Sequence, residues 1–275
     1  MAELRLTFLI LCIILSGCKG EKSVKPGETS TPENSRELVR KVVAVGVTDT
    51  CQQPITFEDG SGLSRDIINE LNTMQSEYHF THEIIPTKRL EDLGKSGRIH
   101  IVSFQNILWG WQGMDIGKSM NLMTSKDVFI ALAEEGRTED YFNTFDSRSK
   151  IGVMGFHYKF IEDGLSQEEQ LKRHSLISVR SEKAVVDMVL SKRGEIGIVS
   201  TLTLQYLMKT SPATHARLLI SKKFDTAYDR YYIIMNKSPI RSEQLDALLL
   251  KMKESGRLKK LFDKYGLEDP ALAEK

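Results

Sequence analysis

Cysteine is scarce in this chain: three in 275 residues, an odd count too low for the disulfide frameworks that hold small secreted scaffolds. An excess of either charge is also missing. Lysine and arginine number 38 against 37 acidic residues, a net charge of +1. No long basic run appears, which excludes nucleic acid as a partner. Nucleophile elbow, P-loop, dinucleotide fingerprint and internal repeat are all absent, so no cofactor is expected. With 40% hydrophobic and 27% charged residues, the composition is globular rather than disordered or multi-pass membrane. The length allows one large core or two smaller ones.

What is present concentrates in one stretch, Arg98 to Leu132, which holds both tryptophans of the chain. Two apolar runs, Ile99 to Phe104 and Val128 to Leu132, flank an irregular segment with Trp109, Trp111 and three glycines. This spacing predicts two strands, with the chain crossing from one sheet to another between them. Ligands in open α/β sheets bind at such switch points.

The N-terminus carries a nearly unbroken apolar run, Leu6 to Leu15, preceded by Arg5. A helix needs about 20 apolar residues to span a bilayer, so this run predicts a signal-peptide core. It ends at Leu15-Ser16-Gly17-Cys18, which resembles the bacterial lipobox. The resemblance implies lipid on the Cys18 thiol, cleavage of residues 1–17, acylation of the new amine, and a periplasmic address on the outer or inner membrane. Cys12 would leave with the signal, so Cys51 has no partner for a bridge. Residues 18–36, rich in Ser, Thr, Pro, Gly, Glu and Lys, read as a flexible tether.

From there strands and helices alternate. Strands are predicted at Val42–Val47, Tyr78–Ile85, Ile99–Phe104, Lys150–Met154, Gly194–Val199 and Ala227–Met235. A helix capped by Ser64 turns Ile67, Ile68, Leu71 and Met74 inward, and a short one covers Lys88–Lys95. Ser181 caps a third helix, and Ser200 or Thr201 a fourth. Two amphipathic helices close the chain around Gly256 and are expected to pack on the first unit. Such alternation predicts α/β architecture with parallel βαβ units. His79 and His82 lie three apart in a strand and face opposite sides, so they do not make a metal pair. His100, in an apolar strand, reads as a satisfied buried histidine.

This order of elements resembles a type II periplasmic solute-binding protein, of the family that feeds amino-acid ABC importers. The resemblance rests on VGVTDTCQQPITFEDGSGLSRDIINELN, GRIHIV, KIGVMG, GEIGIVSTLTLQYLMK and LLLKMKESGRLKKLFDKYGL, and spans Lys41 to Leu267. It implies two lobes joined by two hinge crossings, with mixed sheets flanked by helices. Lobe one is residues 37–122 and 237–267, lobe two is 123–236, a tail follows at 268–275, and a hinge falls at Leu122–Lys126. The expected partners are a small-molecule ligand, a membrane permease or sensor protein, and the membrane through the lipid. A monomer is expected.

At the ligand the resemblance breaks. The arginine that would hold an amino acid's carboxylate is Gln112 here, and the aspartate that would meet its ammonium is Ser200, followed by Thr201. Gln52 and Arg89 stand where sandwiching aromatics are usual. A ligand other than a zwitterion-clamped amino acid is therefore expected. Asp49 follows the first strand, where the family touches ligand. Trp109 and Trp111 offer flat faces for stacking. Gly155, Phe156 and His157, read as a strand-to-helix junction, would offer backbone N–H groups to an anion. The leading expectation is a non-catalytic binding lipoprotein. A sensory lipoprotein without transport and a dehydratase-like enzyme on the same fold are the alternatives.

Overall fold

The computed structural model describes residues 39–50, 52–161 and 166–268. The expectations for the signal peptide, the tether, Cys18, Cys51 and residues 269–275 lie outside them.

The first unit opens with strand β1 (Lys41–Thr48), helix α1 (Leu63–Met74) and strand β2 (Tyr78–Ile85), then α2 (Leu90–Ser96) and β3 (Ile101–Gln105). β1 runs parallel to both β2 and β3. Two apolar layers cover it. Ile67, Leu71, Leu245, Leu249 and Phe262 join one core, while Ile85, Ile99, Val102 and Trp111 form another. A parallel sheet needs this double cover, because its crossover helices occupy the faces. The helix cap differs from expectation. Gly62 precedes α1, and Ser64 is fully buried inside the first turn, bonded to Ser103 Oγ at 2.9 Å and to His82 Nε2 at 3.2 Å. His100 is satisfied: its Nδ1 accepts from the Ala44 amide at 2.9 Å.

After β4 (Ile116–Lys118) comes β5 (Met123–Leu132), which enters the second unit. There follow β6 (Lys150–Val153), α3 (Gln167–Arg173), β7 (Leu176–Val179), α4 (Glu182–Leu190), β8 (Ile196–Ser200), α5 (Thr201–Thr210) and α6 (Pro212–His215). β6 lies parallel to β7 and β8, and β8 antiparallel to β5. The core between this sheet and α4 is built from branched side chains, among them Val128, Ile130, Ile151, Val185 and Val189. Gly197 sets the helix close: a Cβ there would stand 2.6 Å from Val185 Cγ1 and 2.9 Å from Ile130 Cγ1. Each fully buried aliphatic side chain contributes about 1.5–3 kcal/mol to holding the layers.

The last strand, β9 (Leu218–Met235), ties the two units together. Its first part pairs with β5 from Leu218 to Arg230, and its end pairs with β3 and β4 through Tyr231 to Met235. One mixed sheet results, in the order β2-β1-β3-β9-β5-β8-β6-β7, with β4 beside β9. The sequence pattern predicts this strand only from Ala227. Its first half escapes because Ser221 to Thr226 (SKKFDT) carries no apolar alternation. Partner change falls at Arg230/Tyr231, within the strand, while the expected boundary of lobe two falls after Asn236. Helices α7 (Ser242–Glu254) and α8 (Arg257–Tyr265) return to the first unit. Tyr265 Oη and Lys264 Nζ donate to Asp66 of α1 at 2.8 and 2.6 Å. No helix among the described residues is long and apolar enough to cross a membrane.

Candidate functional site

β5 and β9 cross between the units side by side, and the space above their crossing is a cavity of about 510 Å³. That is the size of a small-ligand pocket. Its walls come from both units. Val47, Gln52, Phe104 and Trp109 stand on one side, Gly155, Phe156 and His157 on the other, and Asp127, Tyr228 and Arg230 rise from the crossing strands. Phe104 has φ 54° at the irregularity in the β3–β9 pairing. A bulky residue in the left-handed region is strained, and such residues gather at functional sites.

Arg230 is the centre of the floor. It is 2% exposed, its Nε donates to Ser125 Oγ at 2.7 Å, and its Nη1 donates to Gln52 Oε1 at 2.7 Å. The Trp109 ring lies 4.9 Å from the guanidinium carbon and meets Tyr228 edge to face at 5.2 Å. Gln52 relays the contact onward, its Nε2 donating to Glu182 Oε1 at 3.2 Å. Glu182 is 1% exposed and opens α4 directly after the capping Ser181, where the helix dipole favours a carboxylate. Its other oxygen meets Thr203 Oγ1, which donates to the Gln53 carbonyl at 2.7 Å. A charged and hydrogen-bonded chain therefore runs from the hinge strand through the first unit into α4 and α5.

Asp127 differs from its neighbours. It shares a face of β5 with Ser125, as residues two apart in a strand do, and is 4% exposed. No protein donor reaches its carboxylate among the described residues, and it lines the cavity. Burial, reinforced by Glu182, pushes its carboxyl up from 3.8 to about 7, against the pull of Arg230. Burial raises Glu182 as well. Next to Asp127 the β5–β9 ladder skips Asp225, and such a bulge re-aims side chains. The freed Asp225 carboxylate accepts from the Lys159 and Phe160 amides at 2.7 and 3.3 Å.

These positions revise the expectations from sequence. Gln52, Trp109, Trp111, Gly155, Phe156 and His157 line the cavity. Trp111 is a wall: it is 4% exposed and its Nε1 donates to Gln105 at 3.1 Å. Gly155 to His157 follow β6 in a turn, not at a helix start. The nearby amides are taken by Asp225, an anion from the chain itself. Asp49, Arg89, Gln112, Ser200 and Thr201 do not line the cavity. Asp49 is exposed and accepts from the Thr87 amide and hydroxyl at 3.2 and 3.3 Å. Arg89 and Gln112 are exposed. Ser200 is fully buried and caps α5 through the Leu202 amide at 3.2 Å, while Thr201 Oγ1 accepts from Lys126 N at 3.1 Å. Gap-free counting to Gln112 finds no arginine, yet the cavity has one, from the other crossing strand. Arg230 and Asp127 each stand beside an opposite charge in the sequence, Asp229 and Lys126, so neither signals a site there. Arg230 falls on the same strand face as Tyr228 and Tyr232, both buried.

No family model matches the chain, and no curated protein does. Solved structures do share the fold. A protein termed Tv2483, bound to L-arginine, superposes with a TM-score of 0.61 at 15% identity, over 86% of this chain and 96% of the other. The substrate-binding protein of an amino acid ABC transporter gives 0.58 at 15%, covering 82% and 98%. The GluR0 ligand-binding core from Nostoc punctiforme, in complex with L-glutamate, gives 0.57 at 14%, covering 81% and 98%. The chain has the α/β fold of two-lobed amino-acid-binding proteins: a mixed sheet flanked by helices, drawn out along two crossing strands.

Proposed function

We propose that this protein captures a small polar solute between its two lobes, without transforming it, and presents it to a membrane permease of an ABC-type importer. The observation that carries the reading is the cavity of about 510 Å³ at the crossing of β5 and β9, with walls from both lobes. Solved proteins of this fold include one bound to L-arginine, one in complex with L-glutamate and one from an amino acid ABC transporter, which supports a solute of that size. Hinge closure around such a ligand changes the surface offered to a partner, so binding and recognition are coupled. The lipobox-like Leu15-Ser16-Gly17-Cys18 supports a protein held by lipid at the periplasmic face of a membrane.

A thermal-shift screen of soluble protein lacking residues 1–17, with Cys18 replaced by serine, against amines, amino acids, sugars and organic acids tests the reading. It should be followed by small-angle scattering with each stabilising compound. Stabilisation that rises with ligand concentration, with a radius of gyration no larger than that of the free protein, is expected. A folded protein that no compound stabilises, or a compound that is turned over, overturns it.

A further inference from the structure

The buried charges at the cavity do not balance when all are ionised. Two carboxyl groups, Asp127 and Glu182, face one guanidinium, Arg230, and all three are at most 4% exposed. Arg230 reaches Glu182 through Gln52, by bonds of 2.7 and 3.2 Å. Glu182 has a second partner in Thr203. Asp127 is left aimed into the cavity with no protein donor among the described residues. The titratable groups nearest it are Arg230, Glu182 and Asp225, with Tyr158 and Tyr228 beyond, and Lys88, Glu91 and His157 line the same cavity. Among these, Asp225 is already committed to the Lys159 and Phe160 amides and adds negative charge. With both carboxyls ionised, the three buried groups Asp127, Glu182 and Arg230 are one cation short of neutrality, and burying an uncompensated charge is costly.

We propose that the solute captured in this cavity is a small organic cation, an amine or guanidine of net positive charge, and that Asp127 is the residue that selects it. The inference rests on the solute-binding reading above. An ammonium beside Asp127 supplies the missing counter-charge and hydrogen-bond donors at once, at a carboxyl that is itself only 4% exposed. Trp109, Tyr228 and Phe104 give the rest of such a ligand aromatic surface, and aromatic faces attract cations. A zwitterion brings no net charge and leaves the deficit in place. Anions enlarge it.

Calorimetry with putrescine, agmatine, choline, L-alanine, succinate and glucose, on the native protein and on Asp127→Asn, tests this. Putrescine, agmatine or choline should bind the native protein. Asp127→Asn should weaken that binding by roughly thirtyfold or more, as loss of a buried charge partner does. The native protein provides a second readout that needs no variant. Only ionised Asp127 attracts the cation, so affinity should rise about tenfold from pH 6 to pH 8, across a carboxyl that titrates at about 7. A flat profile, or undiminished cation binding by Asp127→Asn, overturns the assignment of Asp127. Binding of L-alanine, succinate or glucose without any cation overturns the cation and leaves solute capture standing. A folded protein that binds none of the six, and nothing in the wider screen, overturns both.

Discussion

The two lobes meet along two seams of different chemistry. One is the crossing of β5 and β9, a pair of strands whose register runs from Met123↔Arg230 to Leu132↔Leu218, with shifts after Asp127 and after Val128. The other lies across the cavity, and each of its contacts is made by a side chain of the second lobe. Gln52 bonds Glu182, Thr203 bonds the Gln53 carbonyl, and Tyr206 sits edge to face on Phe57 with ring centres 5.5 Å apart. Lys209 Nζ donates to the Asp263 carbonyl at the far end of this seam. The first seam can bend and stay paired, because its backbone bonds lie within one sheet. The second must separate for the lobes to open. Strand pairing and cross-cavity contact therefore fall to different residues, and Arg230 takes part in both, through Ser125 on the strands and Gln52 on the far side.

Breaking the shared residue should have the largest effect. Arg230→Met keeps the side chain's volume and removes the charge, leaving Asp127 and Glu182 without their cation and Gln52 Oε1 and Ser125 Oγ without a donor. Loss of one partner from a buried charge set costs about 3–5 kcal/mol. Urea unfolding at pH 7 should show that loss, and a change under about 1 kcal/mol would mean that the charges are solvated rather than mutually dependent.

Asp127 separates the two seams by pH. The folded protein holds a proton there to about pH 7, and the unfolded chain releases it near 3.8. Between those values the folded state binds more protons than the unfolded one, so this group lowers stability as pH rises through the window, by ~4 kcal/mol at most. His82 acts in the opposite sense. Burial lowers it from 6.5 to about 4, so its contribution improves as pH rises from about 4 to 6.5. Asp127→Asn isolates the first effect: the variant should gain on the native protein from pH 4 to about pH 7 and level off above that. A difference that does not change with pH would show Asp127 ionised throughout.

On the second seam alone, Thr203→Val removes the hydroxyl that touches Glu182 and donates to the Gln53 carbonyl, and leaves that carbonyl without its donor. A buried polar group without its partner costs ~1–3 kcal/mol. Because the loss falls where the lobes part, it should also raise the radius of gyration of the ligand-free protein in solution scattering. Equal loss with no change in dimensions would place Thr203 in the core of its own lobe rather than at the seam.

The sequence is legible where burial and period agree. β2 spans Tyr78–Ile85 as its pattern predicts, and α4 begins directly after Ser181, because apolar periodicity and a cap specify one element each. The start of β9 is not legible: Leu218 and Ile220 pack on the second core, but Ser221 to Thr226 is held by pairing with β5 rather than by an apolar face. The same limit applies to the cavity. Gln52 and the tryptophans could be placed near a ligand from position alone. Asp127, Glu182 and Arg230 could not, because three charges from β5, α4 and β9 acquire meaning only when tertiary structure brings them together. Glu182 in particular reads as an ordinary acid in a first helical turn.

Tyr206 offers the mildest test of the comparison. It lies on α5, on the second lobe, yet its ring packs on Phe57 at 5.5 Å and on Tyr265 at 6.4 Å, both of the first. Leu202, one turn earlier, is counted in the first lobe's core at 4% exposure. Replacing Tyr206 with leucine keeps apolar area and removes the ring geometry, which is worth about 0.5–1.5 kcal/mol per aromatic pair. Overall stability should fall by about that much. The β5–β9 crossing and the cavity do not include Tyr206, so a ligand identified in the screen should contact the variant's cavity as it does the native one. Its affinity should change only through the balance between open and closed lobes: easier opening weakens binding by no more than the closure energy lost, up to about tenfold. A larger loss of affinity at unchanged stability would mean that α5 reaches the ligand itself, and that the two seams are one.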